Sequence, residues 1–169
     1  MAGIGFELRK LLKRDSYFSL LQTYAYAGII SSAVAQDLTW RKDIQPIIAA
    51  KCAACHGANL PGFAEWNVQR VNDKNLAPQL VTYAYFMNHV IWPETGAIMR
   101  RLDDAKASPG GKPGNMYVYL GSSDAERAKN LQTIKAWLGE GAWNLNRWQK
   151  RGDTPAISKE QLDKIKAKY

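Results

Sequence analysis

This chain is poor in the residues that hold small proteins together by covalent or metal cross-links: two cysteines and two histidines in 169 residues. Two cysteines close at most one bridge, so a disulfide-stapled scaffold is excluded. A cage built from many cysteines and histidines is excluded by the same shortage. No convincing alternating run marks a strand, and no internal repeat appears. No acid–base pair beside a nucleophile suggests a turnover enzyme. The most apolar stretch, "YFSLLQTYAYAGII", is short and broken by Gln22 and Thr23, which makes it a poor membrane span.

What remains is the composition of a globular chain, 46% hydrophobic and 22% charged, long enough for one domain with a real core. The net charge of +8 is uneven: residues 36–126 carry nine bases and nine acids, whereas residues 127–169 carry ten bases and four acids. A basic end of this kind favours acidic protein partners, and no nucleic-acid-binding motif accompanies it. Residues 1–35 have the order of a targeting leader, with Arg9, Lys10, Lys13 and Arg14 ahead of the apolar stretch. Ala33-Val34-Ala35 before Gln36 fits the small-x-small rule for cleavage, which predicts an exported, periplasmic protein with no stable membrane span once cleaved. The alternative is an amphipathic helix retained on a membrane surface. The stretch from Met1 to Ser32 also resembles the N-terminus of the membrane component of Pel exopolysaccharide export, and nothing downstream reads as a transporter.

Periodicity predicts a mainly helical chain. "TWRKDIQPIIAAKCAACHG" places Trp40, Ile44, Ile47 and Ile48 at helical spacing, with Pro46 in a first turn. "EWNVQRVNDKN" reads as a loop. "LAPQLVTYAYFMNHVIW" spaces Leu80, Tyr83, Met87 and Ile91 as a second helix stopped by Pro93. A short helix through "ETGAIMRRL" precedes a breaker-rich loop, "DDAKASPGGKPGN". Ser123-x-x-Glu126 then opens the clearest helix, with Leu131, Ile134 and Leu138 on one face and Gly139 or Gly141 closing it. A last basic helix, "SKEQLDKIKAKY", opens on Ser158-x-x-Gln161.

Both cysteines and one histidine fall in a single run, Lys51-Cys52-Ala53-Ala54-Cys55-His56-Gly57. C-x-x-C-H is the attachment signature of c-type haem. Two thiols three positions apart reach two vinyl groups on one porphyrin edge, and the next histidine is carried under the iron as its proximal ligand. A thioredoxin-type pair would follow a strand in a βαβ pattern, which is missing. A zinc site needs four ligands, and His89 is the sole histidine left. A disulfide three residues apart on a helix would be strained. One such motif implies one haem c.

With these residues in view, the chain resembles the monohaem c-type cytochromes of the compact helical, class I-like type. "IQPIIAAKCAACHG" and "NMYVYLGSSDAERAKNLQTIKAWLGEGAW" carry the likeness, which spans residues 38–146. The resemblance implies an all-α domain over 36–149 that packs the C-x-x-C-H helix against a C-terminal helix. Residues 150–169 follow as a basic helical extension. It also implies a distal methionine from the intervening loop, and Met116, sixty residues after His56, stands in that place. His89 is the alternative distal ligand, since bis-histidine ligation is chemically sound; Met87 and Met99 read as core filler. The backbone carbonyl of Pro61 is the candidate acceptor for the free ring N–H of His56, at a spacing short for the family. Ile47, Ile48, Leu60, Phe63, Tyr117, Leu131, Ile134 and Trp137 are candidate haem walls, each equally an ordinary core residue.

The function these residues imply is one-electron transfer between redox proteins, without substrate turnover. The 127–169 segment would steer an acidic partner. Two other classes compete. One is a haem subunit of a dedicated oxidoreductase complex, with the C-terminal helix as its dock. The other is a peroxidase or gas-binding protein with an open distal site.

Overall fold

Thr39 caps the first helical turn: its hydroxyl accepts from the Lys42 N–H at 3.3 Å, and Asp43 accepts from the Thr39 N–H at 2.8 Å. The computed structural model describes residues 37–106, 111–139, 141–144 and 158–169. The leader at 1–35 and the boundary between 149 and 150 therefore lie outside the described residues.

After Thr39 the chain runs as a widened π turn, Trp40–Ile44, into α1 (Gln45–Lys51) and α2 (Ala53–His56). Pro46 explains the widening. It offers no N–H to the preceding turn, and Gln45 instead donates five residues back to Trp40. A kink at Cys52 separates α1 from α2. The Cys52 N–H still donates to Ile48 and the His56 N–H to Cys52, so the expected continuous helix holds in outline.

Next come α3 (Phe63–Gln69), α4 (Tyr83–Asn88) and α5 (Ala97–Leu102). The "EWNVQRVNDKN" stretch was expected as a loop; its first half is helical. No apolar stripe announces α3, because Val68 and Val71 face solvent. Tertiary anchors hold it instead. The Trp66 indole donates to the Leu76 carbonyl at 2.8 Å, Arg70 stacks over Trp66, and Arg70 pairs with Glu94 at 2.9 Å. Helix α4 is shorter than its periodicity suggested. Gln79 and Leu80 donate to Pro61 and His56, at 3.0 Å each, so this stretch runs extended beside the motif until Thr82 caps the helix.

A 3₁₀ turn, Tyr117–Leu120, leads to α6 (Asp124–Leu138), the long helix anticipated from Ser123. The Ser123 hydroxyl accepts from the Glu126 N–H at 3.2 Å, as the cap spacing requires. The Glu126 carboxylate turns back one residue further, to the Ser122 N–H and hydroxyl. A second 3₁₀ turn, Ala142–Asn144, and α7 (Lys159–Leu162) complete the elements. The Ser158–Gln161 capping box forms in both directions. Its helix nevertheless stops after four residues, not at the chain end as expected.

The core is aromatic. Trp40 from the first turn, Phe86 from α4 and Trp137 from α6 are all under 3% exposed, with ring centroids 5.3–5.9 Å apart. Burying side chains of this size contributes about 1.5–3 kcal/mol each. Ile44, Ile48, Leu131, Ile134 and Leu138 extend the same core along α1 and α6. The described residues contain no named strand; Thr39 and Lys168 make one isolated parallel bridge. The expected all-α architecture holds.

Candidate haem-attachment site

Cys52 and Cys55 sit one helical turn apart beside His56, on a helix end held from two sides. Lys51, next to Cys52, pairs with Glu126 in the first turn of α6. On the other side, the Leu80 N–H donates to the His56 carbonyl. The motif is thus placed by the packing of the Trp40–Ile44 turn on the long helix α6 and by the Lys51–Glu126 pair, in line with the expected pairing of the C-x-x-C-H helix with a C-terminal helix.

The thiols are unpaired: Cys55 is exposed and Cys52 half-buried against the core. Burial, reinforced by the neighbouring Cys55, pushes the Cys52 thiol up to about 11. Redox-active C-x-x-C pairs do the opposite, lowering a thiol to make a reactive thiolate. No three or more Cys, His, Asp or Glu side chains converge as a metal-holding set among the described residues. The motif accordingly has neither the electrostatics of a thioredoxin pair nor the company of a structural zinc site.

His56 carries the decisive geometry. Its Nδ1 lies 2.8 Å from the Pro78 carbonyl oxygen. A carbonyl can only accept, so Nδ1 carries the proton and Nε2 keeps a free lone pair for a metal. The residue doing this differs from the expectation. Pro61 was the candidate; its carbonyl accepts from the Gln79 N–H instead, and Pro78 takes its place. Sequence reasoning looked too close to the motif. The signal lay in "LAPQL", where Pro78 disfavours helix at the residue before it, so the segment ahead of α4 stays non-helical.

His89 follows α4 and is 5% exposed. It packs edge-on against Phe63 and Trp66, at 5.5 and 5.3 Å between centroids. Its Nε2 is buried with no hydrogen-bond partner. Burial, then the nearby charges of His56 and Arg70, lower its pKa to about 4, so the ring is neutral at pH 7. The fold thus leaves a buried nitrogen of His89 unsatisfied among the described residues.

Met116 is half-buried, packed on the core at the head of the Tyr117–Leu120 turn. That turn is pinned from two elements. The Met116 N–H donates to the Arg101 carbonyl of α5 at 2.9 Å. From α6, Asn130 donates to the Leu120 carbonyl at 2.7 Å and Arg127 to that of Gly121 at 2.9 Å. Gly114 makes the approach possible, since a Cβ there would sit 2.2 Å from the Arg101 oxygen. Met87 and Met99, at 9% and 0% exposed, are core residues. Of the candidate walls, Ile48, Leu131, Ile134 and Trp137 are buried, and Trp137 is committed to the aromatic core.

Together the two thiols, the tautomer-locked imidazole and the unsatisfied buried nitrogen fit a covalently held porphyrin. Comparison with known proteins agrees. No curated protein matches the chain. Residues 1–33 match the PelG exopolysaccharide exporter (EPS-E) family, a likeness confined to those residues. A solved structure, the monoheme cytochrome PccH from Geobacter sulfurreducens, is 41% identical to this chain. The match covers 78% of this chain and 98% of that one, with a TM-score of 0.64. Residues 39–169 match the PccH cytochrome c family model, so the last twenty residues fall within the match as well. Fold, motif and similarity converge, and the chain belongs to the PccH cytochrome c family.

Proposed function

We propose that this protein is an exported monohaem cytochrome that carries single electrons between redox proteins. As a member of a cytochrome c family it carries one covalently bound haem c and serves electron transfer. In this reading Cys52 and Cys55 hold the haem through thioethers, His56 is the proximal iron ligand and Met116 the distal one. Haem c supplies the Fe(III)/Fe(II) couple. The observation that carries the assignment is the hydrogen bond from His56 Nδ1 to the Pro78 carbonyl, which presents Nε2 as a fixed, basic ligand. A thioether at Met116 favours the reduced iron and raises the potential relative to a second imidazole. Ile48, Leu131 and Ile134 keep water from the interior. Export is supported by the basic, apolar and small-x-small order of residues 1–35. Among the described residues no helix is long and apolar enough to cross a membrane.

The unsatisfied Nε2 of His89 favours a second reading, bis-histidine ligation. Two variants separate the readings. Met116→Leu is expected to abolish the weak long-wavelength band of methionine-ligated ferric haem and to lower the reduction potential, while His89→Phe retains that band. A parent protein that lacks the band, and whose spectrum and potential change with His89→Phe but not with Met116→Leu, would assign the distal position to His89.

A further inference from the structure

Most of the described bases of residues 127–169 are paired with carboxylates of the same chain. Lys159 pairs with Asp163 at 2.6 Å, Lys164 with Glu160 at 3.6 Å, and Lys135 with Asp104 at 3.5 Å. Arg127 pairs with Asp124, and Lys168 with Asp37. Of the seven described bases in that segment, only Lys129 and Lys166 have no carboxylate within ion-pair distance among the described residues.

The face around Met116 is arranged the other way. The two carboxylates nearest Arg101 are turned inward: Asp103 is 1% exposed, and the Asp104 side chain 12%; Asp124, beyond the turn, is exposed but paired with Arg127. The bases of this face are turned outward. The Lys106 side chain is 85% exposed and shares Asp104 with Lys135, and Arg101 and Lys112 are exposed with no carboxylate in reach among the described residues. The turn itself carries two large apolar side chains in water, Val118 at 56% and Tyr119 at 63% exposed. Covalent and hydrogen-bonded links tie this group to Met116. Arg101 donates to the Asn115 side chain at 2.9 Å, and the Tyr119 N–H donates to the Met116 carbonyl at 3.1 Å. The exposed Val68, Val71 and Trp92 lack this one-sided charge, with Glu65, Asp73 and Glu94 near Arg70 and Lys74 in the sequence.

We propose that the outer face of the Met116 turn, Val118 and Tyr119 flanked by Arg101, Lys106 and Lys112, docks a protein electron-transfer partner with an acidic contact face. The proposal rests on the cytochrome reading above and moves the partner site from the C-terminal segment to this turn. The apolar pair supplies the desolvated centre of a transient interface and the bases its charged rim. Electron transfer weakens steeply with distance, so a partner seated two or three residues from an iron ligand is well placed. Opposite charges steer the encounter, and salt screens them.

The test is stopped-flow reduction by an acidic [2Fe–2S] ferredoxin as probe, at low and high salt, with hydroquinone as a neutral reductant. Each protein is first checked by intact mass for one haem and by spectrum for unchanged ligation. At low salt, Lys106→Glu/Lys112→Glu is expected to lower the ferredoxin rate about tenfold or more. High salt should erase that difference, and the hydroquinone rate should not change. Val118→Ser/Tyr119→Ser should lower the ferredoxin rate at both salt levels. Lys129→Glu/Lys166→Glu should stay within about twofold of the parent protein. Equal losses from the two charge reversals, or none from the first in a haem-loaded protein, overturn the docking surface alone. A parent protein without covalent haem overturns the cytochrome reading and the surface with it.

Discussion

His56 divides its two ring nitrogens between the protein and the cofactor, and the division is made by a backbone carbonyl 22 residues away in sequence. The motif can be read from seven letters because its thiols and imidazole are covalently adjacent. The acceptor cannot, since any of several carbonyls downstream could fold back; tertiary hydrogen bonding chose Pro78 over Pro61. Glu126 shows the same dependence on context. Read from sequence it is a capping residue, yet its carboxylate also holds Lys51 beside the motif. The bond from Lys51, then those from the Ser122 N–H and hydroxyl, lower its pKa from 4.5 to about 2. Its contribution to stability is therefore complete above about pH 4.5 and is lost as pH falls through about 2. Glu126→Gln should flatten the acid limb of a stability–pH curve between those values. A curve with an unchanged acid limb would show that the exposed carboxylate is not coupled to folding.

At the scale of elements, the structure agrees with periodicity where an apolar face is buried along a whole helix, as in α6. It departs where an element is held by a few tertiary bonds. Helix α3 has no buried residue and depends on the Trp66 and Arg70 anchors. The chain end departs furthest. Beyond α7 the chain returns to the packing of the Trp40–Ile44 turn on α6, where the Lys168 carbonyl accepts from the Trp40 N–H at 2.8 Å and the Trp137 indole at 2.9 Å. Tyr169 packs edge-on against Tyr83 and lies under Arg41. Gly139 admits this strap: its φ of +106° suits glycine, and a Cβ there would come within 2.5 Å of the Lys164 oxygen. An element read as a dock for other proteins thus closes the protein's own core. Removing residues 166–169 takes the acceptor from the donors of two buried residues, the Trp40 N–H and the Trp137 indole, at about 1–3 kcal/mol each. A thermal melt should show the loss as a lower midpoint, with the haem mass unchanged.

For the whole molecule, the haem is expected to act as part of the core. Cys52→Ala/Cys55→Ala should lack the covalent haem mass and unfold at a lower temperature, because a group bound to the folded state alone stabilises it. Intact mass and circular dichroism check the two halves of that expectation. An equal midpoint would place the core's stability in the aromatic cluster of Trp40, Tyr83, Phe86 and Trp137. By itself the sequence determined the cofactor class, the all-α architecture and the two principal helices, because covalent adjacency and long apolar stripes are local properties. Only the tertiary structure decided which carbonyl orients His56, where the C-terminal strap lies and which bases stay unpaired. Each of those is a contact between residues far apart in the chain, selected by how the helices cross and not by the spacing of letters along them.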